Sequence, residues 1–319
     1  MKKRKVALSI LAASILLFLT ACGQPSMQAA VDKPVIKIGY LPITHAGPLY
    51  MDEHMEEGKY GEYELEMVKF NSWPDLMDAL NTGRIDGASV LVELAMKAKE
   101  KGIDLKAVAL GHKDGNVVIS SKDIKSAKDL KGKTFAIPHT YSSHNILLYE
   151  MLKNEGLSLE DVNIVEMAPP EMPAALSEQR ISGYVVAEPF GALAVKNNIG
   201  KVLHHSDAIW ADSYCCVLVL RQDFMDLQPK ATQSLVTQYV ESGEHAEKKD
   251  EAVYEAFSQY MKVEREVLEL SLGWISFENL RIEETEYNTL RDFVLEMELM
   301  EIPPVFEDFV DNTYIDEAM

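Results

Sequence analysis

From residue 35 onward the chain alternates short β-branched or aliphatic runs with longer stretches of helical spacing, and this alternation narrows the folds open to it more than any other feature. Runs such as Val35-Ile36-Lys37-Ile38-Gly39-Tyr40, Thr134-Phe135-Ala136-Ile137 and Tyr184-Val185-Val186-Ala187 read as strands. Between them, residues 48–57, 73–81, 91–101, 144–155 and 172–177 carry apolar residues at helical intervals. Strands and helices in alternation predict an α/β fold with mostly parallel sheet covered on both faces. At 319 residues the chain exceeds what one small core serves, so two lobes are expected. The chain would cross between lobes near Asp114-Gly115-Asn116 and again near 211–216. One lobe then comprises 34–116 with 217–319, the other 117–216, and the two crossovers form a hinge. After Pro229 the pattern turns to long charged amphipathic helices over 230–245, 250–261 and 283–297.

The first residues predict a destination. Lys2, Lys3, Arg4 and Lys5 precede an apolar stretch over 6–19, which ends in Leu19-Thr20-Ala21-Cys22. A positive start, a short apolar run and small residues before the cut describe a secretory leader over 1–21. An ordinary leader has no need of a cysteine just after the cleavage point, so Cys22 is expected to carry lipid. Two or more acyl chains anchor a protein stably. Small and polar residues over 22–33 suit a flexible tether. The expected location is the extracytoplasmic face of the cell membrane, with the membrane reached through the lipid alone.

Charge excludes one class of partner. The formal net charge is −20, and loss of the four leader cations makes the mature chain more acidic still. Such a surface repels phosphate backbones, so no nucleic acid is expected; it suits a soluble monomer. Of three cysteines, Cys22 is assigned to lipid. Cys215 and Cys216 are sequence neighbours, which strand alternation would point to opposite faces as small buried hydrophobes. No disulfide framework follows from them.

In open α/β sheets ligands bind beyond the carboxyl ends of strands. Four such segments hold polar residues: Thr44-His45 after the first strand, Ser89-Val90 at an expected helix start, His139-Thr140-Tyr141-Ser142-Ser143-His144 after 134–137, and Glu188 before Pro189. None contains lysine or arginine, so a site there would use backbone N–H groups, hydroxyls and imidazoles, as helix N-termini allow. Plain N-capping accounts equally well for each of Ser89, Thr140, Ser142 and Ser143 taken singly. His45, His139 and His144 with Glu188 include metal-ligating residue types. Their spacing has no i, i+4 pair, so neutral hydrogen-bonding histidines are expected and no metal site or cofactor. Tyr40, Tyr50, Trp73, Tyr141, Phe190 and Tyr214 read mostly as core; of these, Tyr141, Tyr214 and Trp73 stand where they could wall a pocket. No nucleophile elbow, zinc-protease helix, phosphate loop or dinucleotide fingerprint occurs, and no catalytic residue is assigned.

Three segments in order, Ile38-Gly39-Tyr40-Leu41-Pro42, Asn81-Thr82-Gly83-Arg84-Ile85-Asp86-Gly87-Ala88 and Lys128-Asp129-Leu130-Lys131-Gly132-Lys133-Thr134-Phe135-Ala136-Ile137-Pro138, resemble the solute-binding proteins of ABC importers. The likeness is to the nitrate/sulfonate/taurine type, related to binders of thiamine-pyrimidine precursors. It implies a two-lobed periplasmic-binding-protein fold of type II, a cleft that closes on a small polar or anionic solute, and a permease with its ATPase as partners. The family pocket would correspond to Thr44, His45, Ser89, Val90, His139, Thr140, Tyr141, Ser142, Ser143, His144, Glu188 and, on the returning crossover, Tyr214. Sulfonate binders of this class often use an arginine that these loops lack, while Thr44-His45-Ala46-Gly47 is close to the His-x-Gly stretch of pyrimidine-precursor binders. A vitamin precursor is therefore an alternative solute. A pyrimidine-synthase-like enzyme and a surface adhesin are the alternatives of other classes.

Overall fold

The alternating pattern resolves into two five-stranded sheets. The computed structural model describes residues 33–56 and 61–319; the leader 1–21, Cys22 and all but the last residue of the tether lie outside them. The strands are β1 Val35–Tyr40, β2 Glu64–Lys69, β3 Gly87–Leu91, β4 Leu105–Leu110, β5 Lys113–Asp114, β6 Asn116–Ser120, β7 Thr134–Ile137, β8 Asn163–Glu166, β9 Gly183–Ala187, β10 Lys201–His205, β11 Cys216–Arg221 and β12 Ile275–Ser276. The first sheet runs β2-β1-β3-β11-β4 and the second β10-β6-β9-β7-β8. β5 pairs with β12 in a small ribbon beside the first crossover.

Each sheet has one strand antiparallel to its neighbours, and each of these strands comes straight from a crossover. β11 runs antiparallel between β3 and β4, and β6 runs antiparallel between β9 and β10. Their first residues therefore lie level with their neighbours' last ones: Cys216 opposite Leu91, and Asn116 opposite Ala187. The carboxyl ends of the other strands and the starts of β6 and β11 share one edge.

The central strands β3, β6 and β9 are buried along their whole length, as expected for strands covered on both faces. Local chemistry sets several helix starts. Ser72 accepts from Asp75 N at the head of the helix Trp73–Asn81, with Pro74 in its first turn, and Asp250 caps Glu251–Tyr260 through Val253 N. The C-terminal helices return to the first sheet: Pro229–Ala246 packs on Gly47–Glu56 and on Thr313–Ala318. One apolar cluster joins residues of both sheets, and a smaller one covers the other face of the second sheet through Val117, Ile119, Tyr184 and Val186. Among the described residues no helix is long and apolar enough to cross a membrane.

Candidate functional site

After β1 the chain turns through a short 3-10 helix, Thr44–Ala46, whose three residues are all buried. Tyr50 Oη lies 3.0 Å from the carbonyl oxygens of both Leu41 and Ile43, so one phenolic proton holds this loop at two points. Thr44 N donates to the carbonyl of Glu188 at 2.9 Å, joining the loop after β1 to the segment after β9. The two sheets thus meet at this loop.

His45 lies against His112, with ring centroids 3.6 Å apart and the rings tilted by 33°. His112 follows β4 by two residues, and Gly111 between them makes the approach possible. A Cβ at Gly111 would stand 2.7 Å from the His45 carbonyl oxygen, inside contact distance. Gly111 N also donates to Cys216 O, and Val92 N to Cys215 O, both at 2.8 Å. These bonds pin the returning crossover against the ends of β3 and β4.

Cys215 and Cys216 do not face apart. Their sulfurs lie 3.9 Å from each other and 3.5 and 3.4 Å from the same atom, His45 Nδ1. The expectation of opposite faces fails because β11 begins at Cys216: Cys215 still belongs to the crossover, where the alternation of a strand does not apply. Both thiols are free and buried, and Cys215 Sγ also lies 3.6 Å from Asn116 Oδ1. Burial opposes ionisation of both, but Cys215 accepts from Cys216 and is drawn well down while Cys216 is pushed up. Burial, with the neighbouring His112, lowers His45 to about 4, so this imidazole is neutral near pH 7 and keeps a lone pair.

The second sheet's side contributes Ser143 and His144 at the head of the helix Ser143–Asn154. Ser143 Oγ lies 2.6 Å from Glu93 Oε1 and 2.5 Å from the Tyr214 carbonyl oxygen. Burial raises Glu93 to about 8. A protonated Glu93 can donate to Ser143, which then donates to Tyr214, and one consistent chain of protons satisfies all three. The rings of His144 and His45 lie parallel, 6.5 Å apart. His45 Nε2, both nitrogens of His112 and His144, Glu93 Oε2 and Asn116 Nδ2 are buried and make no hydrogen bond among the described residues.

Glu188 is held otherwise. Its Oε2 accepts from Ala192 N and Ser271 Oγ, while burial raises the carboxyl to about 8. A Cβ at Gly191 would fall 2.3 Å from its Oε1, so only glycine admits this carboxyl.

Thr44, His45, Ser143, His144 and the Tyr214 carbonyl are thus brought together, with the Glu188 backbone at their edge. Other expected positions sit differently. Ser89 and Val90 belong to β3, not to a helix start, because the strand continues to Leu91; Ser89 Oγ donates to the His45 carbonyl at 3.5 Å, and Val90 pairs with Val217. Ser142 is the N-cap of its helix, accepting from Asn145 N. His139 and Tyr141 are half-buried and Thr140 exposed. Thr140 donates to Glu166, and His139 Nδ1 accepts from Tyr141 N. His139 lines a separate cavity of about 200 Å³ with Trp73, Pro74 and Glu166. The grouping of His45, His139, His144 and Glu188 is not what assembles: His112, Cys215 and Cys216 stand beside His45. His112 and Glu93 escaped the sequence reading, although His112 stands just past a strand end like the others.

Residues 29–258 match the NMT1-like family. The nitrate/nitrite binding protein NrtA of Nostoc is 27% identical over 68% of this chain and 55% of its own length. The chain spans about half the length, or less, of the curated relatives it matches. Among solved structures, the ligand-binding component of an ABC-type import system from Staphylococcus aureus, solved with zinc bound, is 44% identical, with 90% of this chain and 99% of that one covered and a TM-score of 0.85. The periplasmic nitrate-binding protein NrtA of Synechocystis shares the fold at 17% identity, with 90% and 88% covered and a TM-score of 0.81. Two sheets exchanging one strand at each crossover, polar groups gathered where their ends meet, and these likenesses place the chain in the NMT1-like family, with the two-lobed fold of periplasmic binding proteins.

Proposed function

We propose that the chain is the solute-binding lipoprotein of an ABC importer, capturing a small polar or anionic solute of the nitrate, sulfonate or taurine kind between two lobes. The lobes are 34–116 with 217–319, and 117–216. The observation that carries this reading is the meeting of buried, unpartnered polar atoms from both sheets: His45 Nε2, both nitrogens of His144 and Glu93 Oε2. Such groups are costly to leave without partners, and native proteins keep few of them. Neutral imidazoles and a protonated carboxyl offer donors without a fixed positive charge, which suits a small solute that must also be released. Closure is a population shift driven by contacts that only the closed form makes. The closed form then docks on a permease driven by a cytoplasmic ATPase, the protein acting as a monomer and catalysing no reaction.

A thermal-shift series tests the reading with nitrate, bicarbonate, alkanesulfonates, taurine, thiamine and riboflavin precursors, and zinc, the last because the Staphylococcus aureus relative was solved with it. A solute at 100 times its Kd should add about 2.7 kcal/mol. Stabilisation by a solute recovered unchanged supports a receptor, consumption of the solute indicates the enzyme, and no stabilisation by any of them leaves the adhesin. Lipid anchoring at Cys22 predicts that C22A moves the protein from the membrane fraction to the medium; a variant that stays membrane-bound rejects the anchor.

A further inference from the structure

His45, His112, Cys215 and Cys216 each offer one ligand atom, and these atoms all lie within 4.8 Å of one another in a fully buried setting. Bonds of about 2.3 Å to sulfur and about 2.0–2.1 Å to nitrogen around a tetrahedral centre place sulfurs about 3.8 Å apart and sulfur about 3.5 Å from nitrogen. The sulfurs here are 3.9 Å apart, and His45 Nδ1 lies 3.4 and 3.5 Å from them. Hydrogen bonding alone accounts for less of this. One neutral imidazole nitrogen has a single in-plane lone pair, yet two thiols converge on it. A shared central cation explains both approaches at once, and also gives a partner to a nitrogen of His112, which has no hydrogen bond among the described residues.

Charge points the same way. Two thiolates neutralise a divalent ion, so the loaded site brings no net charge into an interior where an unpaired charge is expensive. Sulfur and imidazole donors select borderline or soft ions over magnesium or calcium, which take oxygen ligands. We infer that His45, His112, Cys215 and Cys216 hold a zinc-class divalent metal ion where the loops after β1 and β4 meet the returning crossover. The ion ties these three segments together and leaves Ser143, His144 and Glu93 beside it. This deepens the receptor reading and rests on it only for the solute that Ser143, His144 and Glu93 would meet; the coordination itself needs no transporter.

The test uses the full chain with thiols kept reduced, loaded with zinc or cobalt(II) alone. Expected are one ion per chain, a thiolate-to-cobalt charge-transfer band with the intense visible bands of tetrahedral cobalt, and proton release on loading. H112A and C215S should each weaken zinc binding by more than the roughly 10–100-fold that an outer-shell change costs, while H204A, a half-buried histidine elsewhere, should match the parent chain. The cobalt spectrum needs no variant, so it decides the matter even if C215S fails to fold. A cobalt spectrum without the thiolate band, no bound ion, or parental affinity in H112A overturns the site. Should one of these outcomes overturn the site while nitrate or taurine still stabilises the chain, the receptor reading stands without it.

Discussion

Two strand-end loops of similar composition end in different states. The loop after β1 and the loop after β7 both carry a histidine and hydroxyls, yet His45 is buried against His112 with a nitrogen unpartnered, whereas His139 and Thr140 sit at the rim with partners of their own. The difference lies in what covers them. Elements from the other sheet and the returning crossover close over the first loop and remove water from groups they do not fully satisfy. Water and Glu166 serve the second. A polar strand end becomes a candidate binding site when it is covered without being satisfied.

That contrast can be broken most severely at His45. H45A is expected to abolish stabilisation by any solute and by zinc in thermal-shift titrations, and H144A to lose the solute response, whereas H139A should change either affinity less than about tenfold, or 1.4 kcal/mol. An H139A loss as large as that of H144A would erase the distinction. Next comes G111A, whose new Cβ meets backbone rather than a side chain that can swing away. Overpacking of this kind costs about 1–3 kcal/mol, measured by urea unfolding, and separation of His112 from His45 should weaken zinc binding as well.

Glu188 sharpens the contrast through pH. Its folded-state value, about 8, lies above the ordinary 4.5 because burial disfavours the charged form. The folded chain therefore holds a proton that the unfolded chain has released, and the stabilisation, complete below about pH 4.5, is lost as pH rises through 8. The lowered histidines His45, His139, His144 and His204 act in the opposite sense at lower pH; between pH 6.5 and 8 Glu93, also raised to about 8, adds the same fall and the lowered Cys215 thiol opposes it, so Glu188 is read as the difference between the parent chain and E188Q. Unfolding in urea should show the parent chain losing about 1–2 kcal/mol more stability than E188Q between pH 6.5 and 8. An unchanged slope in E188Q would mean that this carboxyl is ionised in the fold. Smallest is S142A, expected to cost about 1 kcal/mol through loss of an N-cap with no change in solute affinity by calorimetry; reduced affinity would restore Ser142 to the site.

What local chemistry determines was legible beforehand. The strands Val35–Tyr40 and Thr134–Ile137 and the helix Trp73–Asn81 form where their residues predict, since alternation, helical spacing and the Ser72 cap act over a few residues. Ser89 and Val90 were misplaced because a strand buried on both faces shows no alternation to mark its end. The pairing of His112 with His45 had no local signature at all. It depends on Gly111 meeting a carbonyl 66 positions earlier in the chain, a contact that only the finished topology creates.

The crossover strands carry a mechanical consequence. Because β6 and β11 enter their sheets at the edge where the other strands leave them, the residues that begin them come together where the two crossovers meet: Asn116 heads β6, Cys216 heads β11, and the neighbouring Cys215 sulfur touches the Asn116 amide. Bending there would alter this contact directly. On the proposed receptor reading, the capture of a ligand and the swing of the lobes would share one fulcrum, with no relay through the rest of the molecule needed to couple them.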